Sequence, residues 1–410
     1  MEQLMMSMAD RYREYLHDES RQTGFAESIS FPETVEQVEK IVQFMHERQT
    51  IVTFQGGRTG LDGGTVPHGG HVLNLSKLCN IIAMRAGENG SFYVTAQAGL
   101  TLLELDSCLA RRSFDTKNWD AQSKAALQLL KNSPQLFWPP APTESSATIG
   151  GVISSNARGI WAYRYGDARS YSSDIRTVET SCDQKVIVEL TLRLIPFQAA
   201  IWGIGFFFLH DEDAIRFTQS VDSAPNALTD TVAAVEYMDK ISLECIAQFK
   251  KTASRLQGLP DVEERFAAMV YVELQGPSDD ALEQTAQWLL QCAADYASDI
   301  DASWALSSAV ETQRIRSFRH AAQESVHAVI DRSRADDSRI AALGTYMVFP
   351  KSTLIEAVRE CRKDIACAQL TAALFGHACG GRMRVCLLPR NYDEFERGRE
   401  LLLRWTRGSV

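Results

Sequence analysis

The stretch Gln55-Gly56-Gly57-Arg58-Thr59-Gly60-Leu61-Asp62-Gly63-Gly64 packs five glycines into ten residues. It follows an apolar β-type run, Ile51-Val52-Thr53-Phe54, and precedes another at Val72–Leu75. A strand running into so many glycines needs a backbone that turns sharply and lets a ligand or another chain segment come close. Successive unblocked N–H groups in such a loop form a concavity for an anion, typically phosphate. By itself the loop reads equally well as a glycine-rich surface turn.

A second segment changes the balance. Trp138-Pro139-Pro140-Ala141-Pro142-Thr143-Glu144-Ser145-Ser146-Ala147-Thr148-Ile149-Gly150-Gly151 runs on through Asn156 and Gly159 to Tyr163-Arg164-Tyr165-Gly166-Asp167. It offers a rigid proline entry, a cluster of hydroxyls and a Gly-Gly pair at the expected start of a helical turn. Free N–H groups at a helix start, with hydroxyls nearby, suit a pyrophosphate or a polar ring edge. As a random loop, so many small residues would be an entropic liability. Ligand binding is therefore the stronger reading.

Together the two segments resemble the flavin-binding domain of the p-cresol methylhydroxylase and vanillyl-alcohol oxidase superfamily, in its D-lactate dehydrogenase and glycolate oxidase large-subunit branch. Gly56-Gly57-Arg58-Thr59 is similar to the family's pyrophosphate loop, and Pro140 to Gly159 to its flavin-lining stretch, followed by Tyr165-Gly166. Phe31-Pro32-Glu33-Thr34-Val35 resembles the family's helix start. The resemblance implies an α+β fold: a two-subdomain FAD-binding domain over 1–196 and a C-terminal antiparallel-sheet cap domain with helices over 197–410. It implies FAD as cofactor, held by Gln55, Gly56, Gly57, Arg58, Thr59, Gly60, Leu61, Pro140, Thr143, Ser146, Gly150, Gly151, Asn156, Gly159, Tyr165, Gly166 and Ile187. His68 and His71 do not match the family's covalent histidine, so noncovalent flavin is expected.

A net charge of -10 argues against a nucleic-acid partner and an anionic membrane surface. The longest apolar stretch, near Ile201–Leu209, is far short of a membrane span, and the N-terminus shows no secretory pattern. Nine scattered cysteines without a Cys-x-x-Cys pair fit reduced thiols rather than disulfides, zinc or an iron–sulfur cluster of the chain's own. The expected location is cytoplasmic, with a peripheral place on the inner face of the membrane as the variant. Electrons from a flavin must leave to O₂, a quinone, an electron-transfer protein or an iron–sulfur subunit. Homo- or hetero-oligomers are both compatible with the sequence.

Periodicity predicts helices over Ser7–His17, Thr34–Arg48 (with a Thr34/Gln37 capping box) and Thr101–Arg111, and strands at Ile51–Phe54, His71–Leu75, Phe92–Gln97 and Val186–Pro196. Residues 113–133 look like an insertion relative to the family and read as a solvated surface excursion. Beyond Phe197, strand-like runs alternate with helices, which suggests an antiparallel sheet with helices on one face.

Oxidation of a 2-hydroxy acid needs a cation for the carboxylate and a base for the hydroxyl proton. Ser317-Phe318-Arg319-His320 resembles the family's Phe-Arg-His helix, which implies Arg319 as the carboxylate clamp. Gly376-His377-Ala378-Cys379-Gly380-Gly381-Arg382-Met383-Arg384 resembles the family's Gly-His-x-Gly-Asp-Gly-Asn-x-His motif and implies His377 as base. Here Gly380, Arg382 and Arg384 replace the Asp, Asn and second His. One imidazole between two arginines repels a cation, so no metal is expected. Tyr346 also replaces a family Asp, the link between Tyr171 and Val186 is short, and the chain stops at Gly408-Ser409-Val410, before the family's Glu-His-Gly segment. The resulting expectation is an FAD-dependent dehydrogenase of a small 2-hydroxy acid (D-lactate or glycolate type); the alternative is a non-catalytic flavin-binding subunit of a multi-subunit dehydrogenase.

Overall fold

The computed structural model describes residues 4–179, 185–307 and 309–407. Part of the short link (Thr180–Asp183), Cys182 and the Gly408-Ser409-Val410 end lie outside the described residues. The chain forms two compact units, residues 1–160 with 165–197, and residues 161–164 with 198–410.

The first unit holds two sheets. In one, Ser28–Ser30, His71–Asn74 and Val52–Gln55 pair in parallel, with Met6–Ser7 antiparallel at the edge. The other is antiparallel and centres on the long strand Lys185–Pro196, which pairs with Phe92–Gln97, Leu136–Phe137 and Ser172–Glu179. The helix Val35–Glu47 puts Val35, Val38, Ile41, Val42 and Met45 on one buried stripe, packed with Leu73, Leu75, Leu78 and Val188. Each such side chain contributes about 1.5–3 kcal/mol by leaving water. Thr34 Oγ1 accepts the Gln37 N–H, but the Gln37 side chain accepts from Glu33 N–H rather than from Thr34. The predicted capping box is therefore half formed.

Two local expectations are corrected. Residues 7–17 do not make an α-helix: Asp10–Leu16 is a 3-10 helix with no buried residue, and a short helix without a docked apolar stripe lacks the packing that sustains it. Residues 113–133 are not a solvated excursion. They contain the helix Ala121–Lys131, which buries Ser123, Ala126, Leu127 and Leu130 in the same core as Phe92, Leu105 and Leu190. Trp119 Nε1 donates to the Ile81 carbonyl at 2.9 Å, and Ser123 Oγ accepts from Met84 N–H at 3.2 Å.

The second unit is built on one seven-stranded antiparallel sheet, ordered Trp304–Leu306, Ala200–Phe208, Ala268–Gly276, Val232–Asp239, Ala372–His377, Arg382–Leu387 and Leu343–Val348. Strand alternation sends Phe206, Phe208, Val235, Tyr237, Val272, Leu374 and Val385 into one apolar core with the helices Asp211–Ser223, Asp280–Asp295, Leu354–Cys367 and Tyr392–Arg407. The opposite face carries Glu236, Tyr271, Glu273, His377, Arg382 and Arg384. It is covered in part by the helices Lys240–Lys250 and Ala309–Asp336. Helices thus lie on both faces, not one. Among the described residues no helix is long and apolar enough to cross a membrane, and none of the eight described cysteines is in a disulfide.

Candidate active site

In the first unit, the glycine loop is pressed against the second small-residue segment. A Cβ built on Gly56 would lie 2.1 Å from Thr148 Oγ1, and one on Gly57 would lie 2.4 Å from the Ser146 carbonyl oxygen. Only glycine permits that approach. Among the described residues, the amides of Gly56, Gly57, Arg58, Thr59 and Gly60 donate to no protein acceptor, which leaves a row of donors for an anion. Gln55 is spent on the scaffold: its Nε2 donates to the carbonyls of Tyr15 and Thr65, both at 2.8 Å. Arg58, in the left-handed region at φ 58, pairs with Glu14 at 3.0 Å and covers the Tyr15 ring. Asp18, only 3% exposed, accepts from Ser20 N–H and Thr65 Oγ1 at 2.9 and 3.0 Å and so ties the loop's far end. No sequence signal marks Asp18.

The helix start at Gly150-Gly151 differs from expectation. Ile149 N–H donates to the Leu100 carbonyl and Gly150 N–H to the Ala98 carbonyl, both at 2.9 Å, while Thr148 Oγ1 accepts from Gly151 N–H at 3.4 Å. These donors are consumed by the protein, so the six-residue helix Ile149–Ser154 offers no anion hole. Its glycines serve packing instead: a Cβ on Gly150 would meet the Ala98 Cβ at 2.6 Å. Pro140 is buried and Thr143 is exposed. Ser146 Oγ donates to Glu144 at 2.6 Å. A Cβ on Gly159 would meet the Ala141 carbonyl oxygen at 2.2 Å. Asn156 Nδ2 donates to Asp167 at 3.3 Å, whereas its Oδ1 is buried without a hydrogen-bond partner. Tyr165 packs edge-on to Phe137 and Tyr171, beside Gly166 at φ 76. Ile187 packs against both first-unit cores. Free loop amides and an orphaned buried acceptor fit a flavin dinucleotide, whose pyrophosphate oxygens accept and whose ring can donate. His71 is fully buried with Ser28 Oγ at 2.8 Å from its Nδ1, so its ring has no surface to give a flavin.

In the second unit, Arg319 and His377 come together on a residue that the sequence reading missed. Tyr237 pairs with Gly376 and Met238 with Phe375, so the antiparallel register sets Glu236 beside His377. Glu236 is 1% exposed. Its Oε1 lies 2.6 Å from His377 Nδ1, and its Oε2 accepts from Arg319 Nε and Nη2 at 3.0 and 2.8 Å. Burial would raise the Glu236 pKa, but Arg319 and His377 hold it below the usual carboxylate value. A second buried carboxylate, Glu273, accepts from Arg316 through both Nε and Nη2 at 2.7 Å, from Tyr271 at 2.7 Å, from Gln275 at 2.8 Å and from Trp161 at 2.6 Å. Burial, then the neighbouring Glu273, pushes the Tyr271 hydroxyl well above its ordinary value. Arg382 stands opposite His377 in the register, and the guanidinium groups of Arg382 and Arg384 lie 5.3 and 4.9 Å from the exposed Tyr346 ring.

The FAD binding domain family matches residues 26–126, and the C-terminal domain family of FAD-linked oxidases matches residues 214–405. The chain is 24% identical to a D-lactate dehydrogenase of Anaerostipes hadrus across 93% of this chain and 78% of that one. It is 22% identical to glycolate oxidase subunit GlcD of Bacillus subtilis over the same shares. A D-lactate dehydrogenase of Archaeoglobus fulgidus is 30% identical across 52% of this chain and 47% of its own length. In structure, p-cresol methylhydroxylase superposes with a TM-score of 0.69 at 12% identity, covering 98% of this chain and 84% of the other. The protein belongs to the FAD-linked oxidase superfamily of p-cresol methylhydroxylase and vanillyl-alcohol oxidase. Its cofactor is FAD, and its class is FAD oxidoreductase.

Proposed function

We propose that the protein oxidises a small 2-hydroxy acid, of D-lactate or glycolate type, to the 2-oxo acid. The observation that carries this reading is the meeting of Arg319 and His377 on the polar face of the second unit's sheet, in a chain of this family. The first unit's loop amides from Gly56 to Gly60 hold the dinucleotide, and Asn156 offers an acceptor to it. Bound FAD supplies the two-electron acceptor for the hydrogen on the substrate's α-carbon. Arg319 holds the substrate carboxylate through the part of its guanidinium that Glu236 leaves unused, and His377 Nε2 takes the hydroxyl proton. The electrons then pass to a separate acceptor, a quinone, an electron-transfer protein or an iron–sulfur subunit. The names of the relatives support the substrate class.

The test is anaerobic mixing of FAD-loaded protein with a panel of D- and L-2-hydroxy acids. Loss of the oxidised flavin absorbance with one of them is expected, at a rate that falls roughly 10²–10⁴-fold in His377→Ala. The commitment of two Arg319 donors to Glu236 favours a second reading, a flavin-binding subunit without turnover of its own. A flavin that no acid reduces would decide for it.

A further inference from the structure

Both side chains of the proposed reaction converge on one carboxylate that the reaction itself does not consume. Arg319 and His377 favour the ionised form of Glu236 against the cost of burial. An ionised carboxylate can only accept hydrogen bonds. His377 Nδ1 lies 2.6 Å from Glu236 Oε1, although that oxygen makes no hydrogen bond of regular geometry. Two bare acceptors would repel at this distance, so Nδ1 carries the proton and the neutral ring presents a bare Nε2. We propose that Glu236 is a positioning residue for the oxidation: it fixes His377 in the Nδ1–H tautomer with Nε2 as the base, and it orients Arg319.

The proposal rests on the 2-hydroxy acid reading for its chemistry. In the step, the substrate O–H bond breaks and an N–H bond forms on Nε2. With FAD bound as the two-electron acceptor, the α-hydrogen would leave with both electrons of its C–H bond as the carbonyl forms. The positive charge left on the imidazolium appears beside the Glu236 carboxylate, which stabilises it. The same carboxylate takes the Nε–H and Nη2–H of Arg319, so the guanidinium plane is set by the protein before any acid arrives. Glu236 is too buried to be a substrate ligand, and its effect travels through the two residues it holds.

Two measurements on the full-length, FAD-loaded protein test this. In ¹⁵N-histidine-labelled protein, a long-range ¹H–¹⁵N correlation spectrum reports which ring nitrogen is protonated, with His377 assigned by the signals lost in His377→Asn. Protonated Nδ1 is expected for the neutral ring; a neutral ring protonated on Nε2 overturns the proposal. Kinetically, Glu236→Gln keeps the shape and removes the charge. The limiting rate of flavin reduction should fall roughly 100-fold or more without a matching rise in KM. In the His377→Asn background the same change should cost much less in limiting rate, only the part carried through Arg319 remaining. An equal loss of limiting rate in both backgrounds shows a merely structural role, and a loss confined to KM overturns the part of the proposal that runs through His377. Should Glu236→Gln fail to fold or to hold FAD, Glu236→Asp takes its place, with a smaller loss and the same non-additivity. A parent that an acid reduces, with Glu236→Gln reduced as fast, sinks the Glu236 role alone. A parent that no acid reduces sinks the oxidation reading and the catalytic role with it, and the tautomer measurement then decides the remaining structural claim.

Discussion

A Cβ at Gly57 would lie 2.4 Å from a backbone oxygen, whereas one at Gly64 would meet nothing within 4 Å. Glycines in one loop therefore differ in what they do. Gly57→Ala should separate the loop from residues 146–148, lower FAD retention and destabilise the first unit. Gly64→Ala should leave both unchanged. Flavin content after gel filtration, with the melting temperature of each variant, checks this, and equal behaviour of the two would refute it. Glu273 makes a different residue-level case. It has no exposed surface and takes two charge-assisted bonds from Arg316. Arg316→Met should leave that buried charge uncompensated, at a cost of about 3–5 kcal/mol. Adding Glu273→Gln should return part of the loss, measured by denaturant unfolding of the second unit. Arg316→Met that costs no more than a surface change would show that the Arg316–Glu273 pair contributes nothing to the stability of the fold.

Among the elements, the strands were legible because alternation and flanking glycines mark them directly: the runs expected at Ile51–Phe54, Phe92–Gln97 and Val186–Pro196 correspond to the strands Val52–Gln55, Phe92–Gln97 and Lys185–Pro196. The helix Lys240–Lys250 was not read, because Asp239 is at once the last residue of a strand and the helix N-cap, accepting from Ser242 N–H. Nor could sequence place the Ala309–Asp336 helix on the second face of the sheet. Its inward residues include arginines neutralised by Glu236 and Glu273, and that pairing depends on strand register. Of the candidate site, the glycine loop stood out by composition, while Asp18 and Glu236 are single acids in ordinary surroundings. The helix Ala121–Lys131 gives an element-level prediction. Leu127 is buried and Leu129 is exposed, so Leu127→Ala should cost about 2–4 kcal/mol and Leu129→Ala nearly nothing. Equal, small losses in denaturant unfolding would return this segment to the surface excursion suggested by its polar sequence.

Across the whole molecule, the two units carry buried groups whose pH dependences oppose each other. In the first, burial lowers the His71 pKa to about 4. A depressed folded pKa means stability present above the unfolded value near 6.5 and lost as pH falls toward 4. In the second, burial raises the Asp239 pKa to about 6 although Ser242 and Arg362 pull it down. A raised folded pKa means stability present below the unfolded value near 4 and lost as pH rises through 6. Each shift corresponds to roughly 2–3 kcal/mol. The contributions cancel in any global average between pH 4 and 6, so they must be read locally. Hydrogen exchange, corrected for its intrinsic pH dependence, should show protection of the His71–Asn74 strand rising across that window and protection of the Val232–Asp239 strand falling. His71→Asn should flatten the first trend. Asp239→Asn, whose amide oxygen can still accept from Ser242, should flatten the second and stabilise the second unit at neutral pH. Slopes of the same sign in both strands, or slopes that survive these substitutions, would place the titrating groups elsewhere.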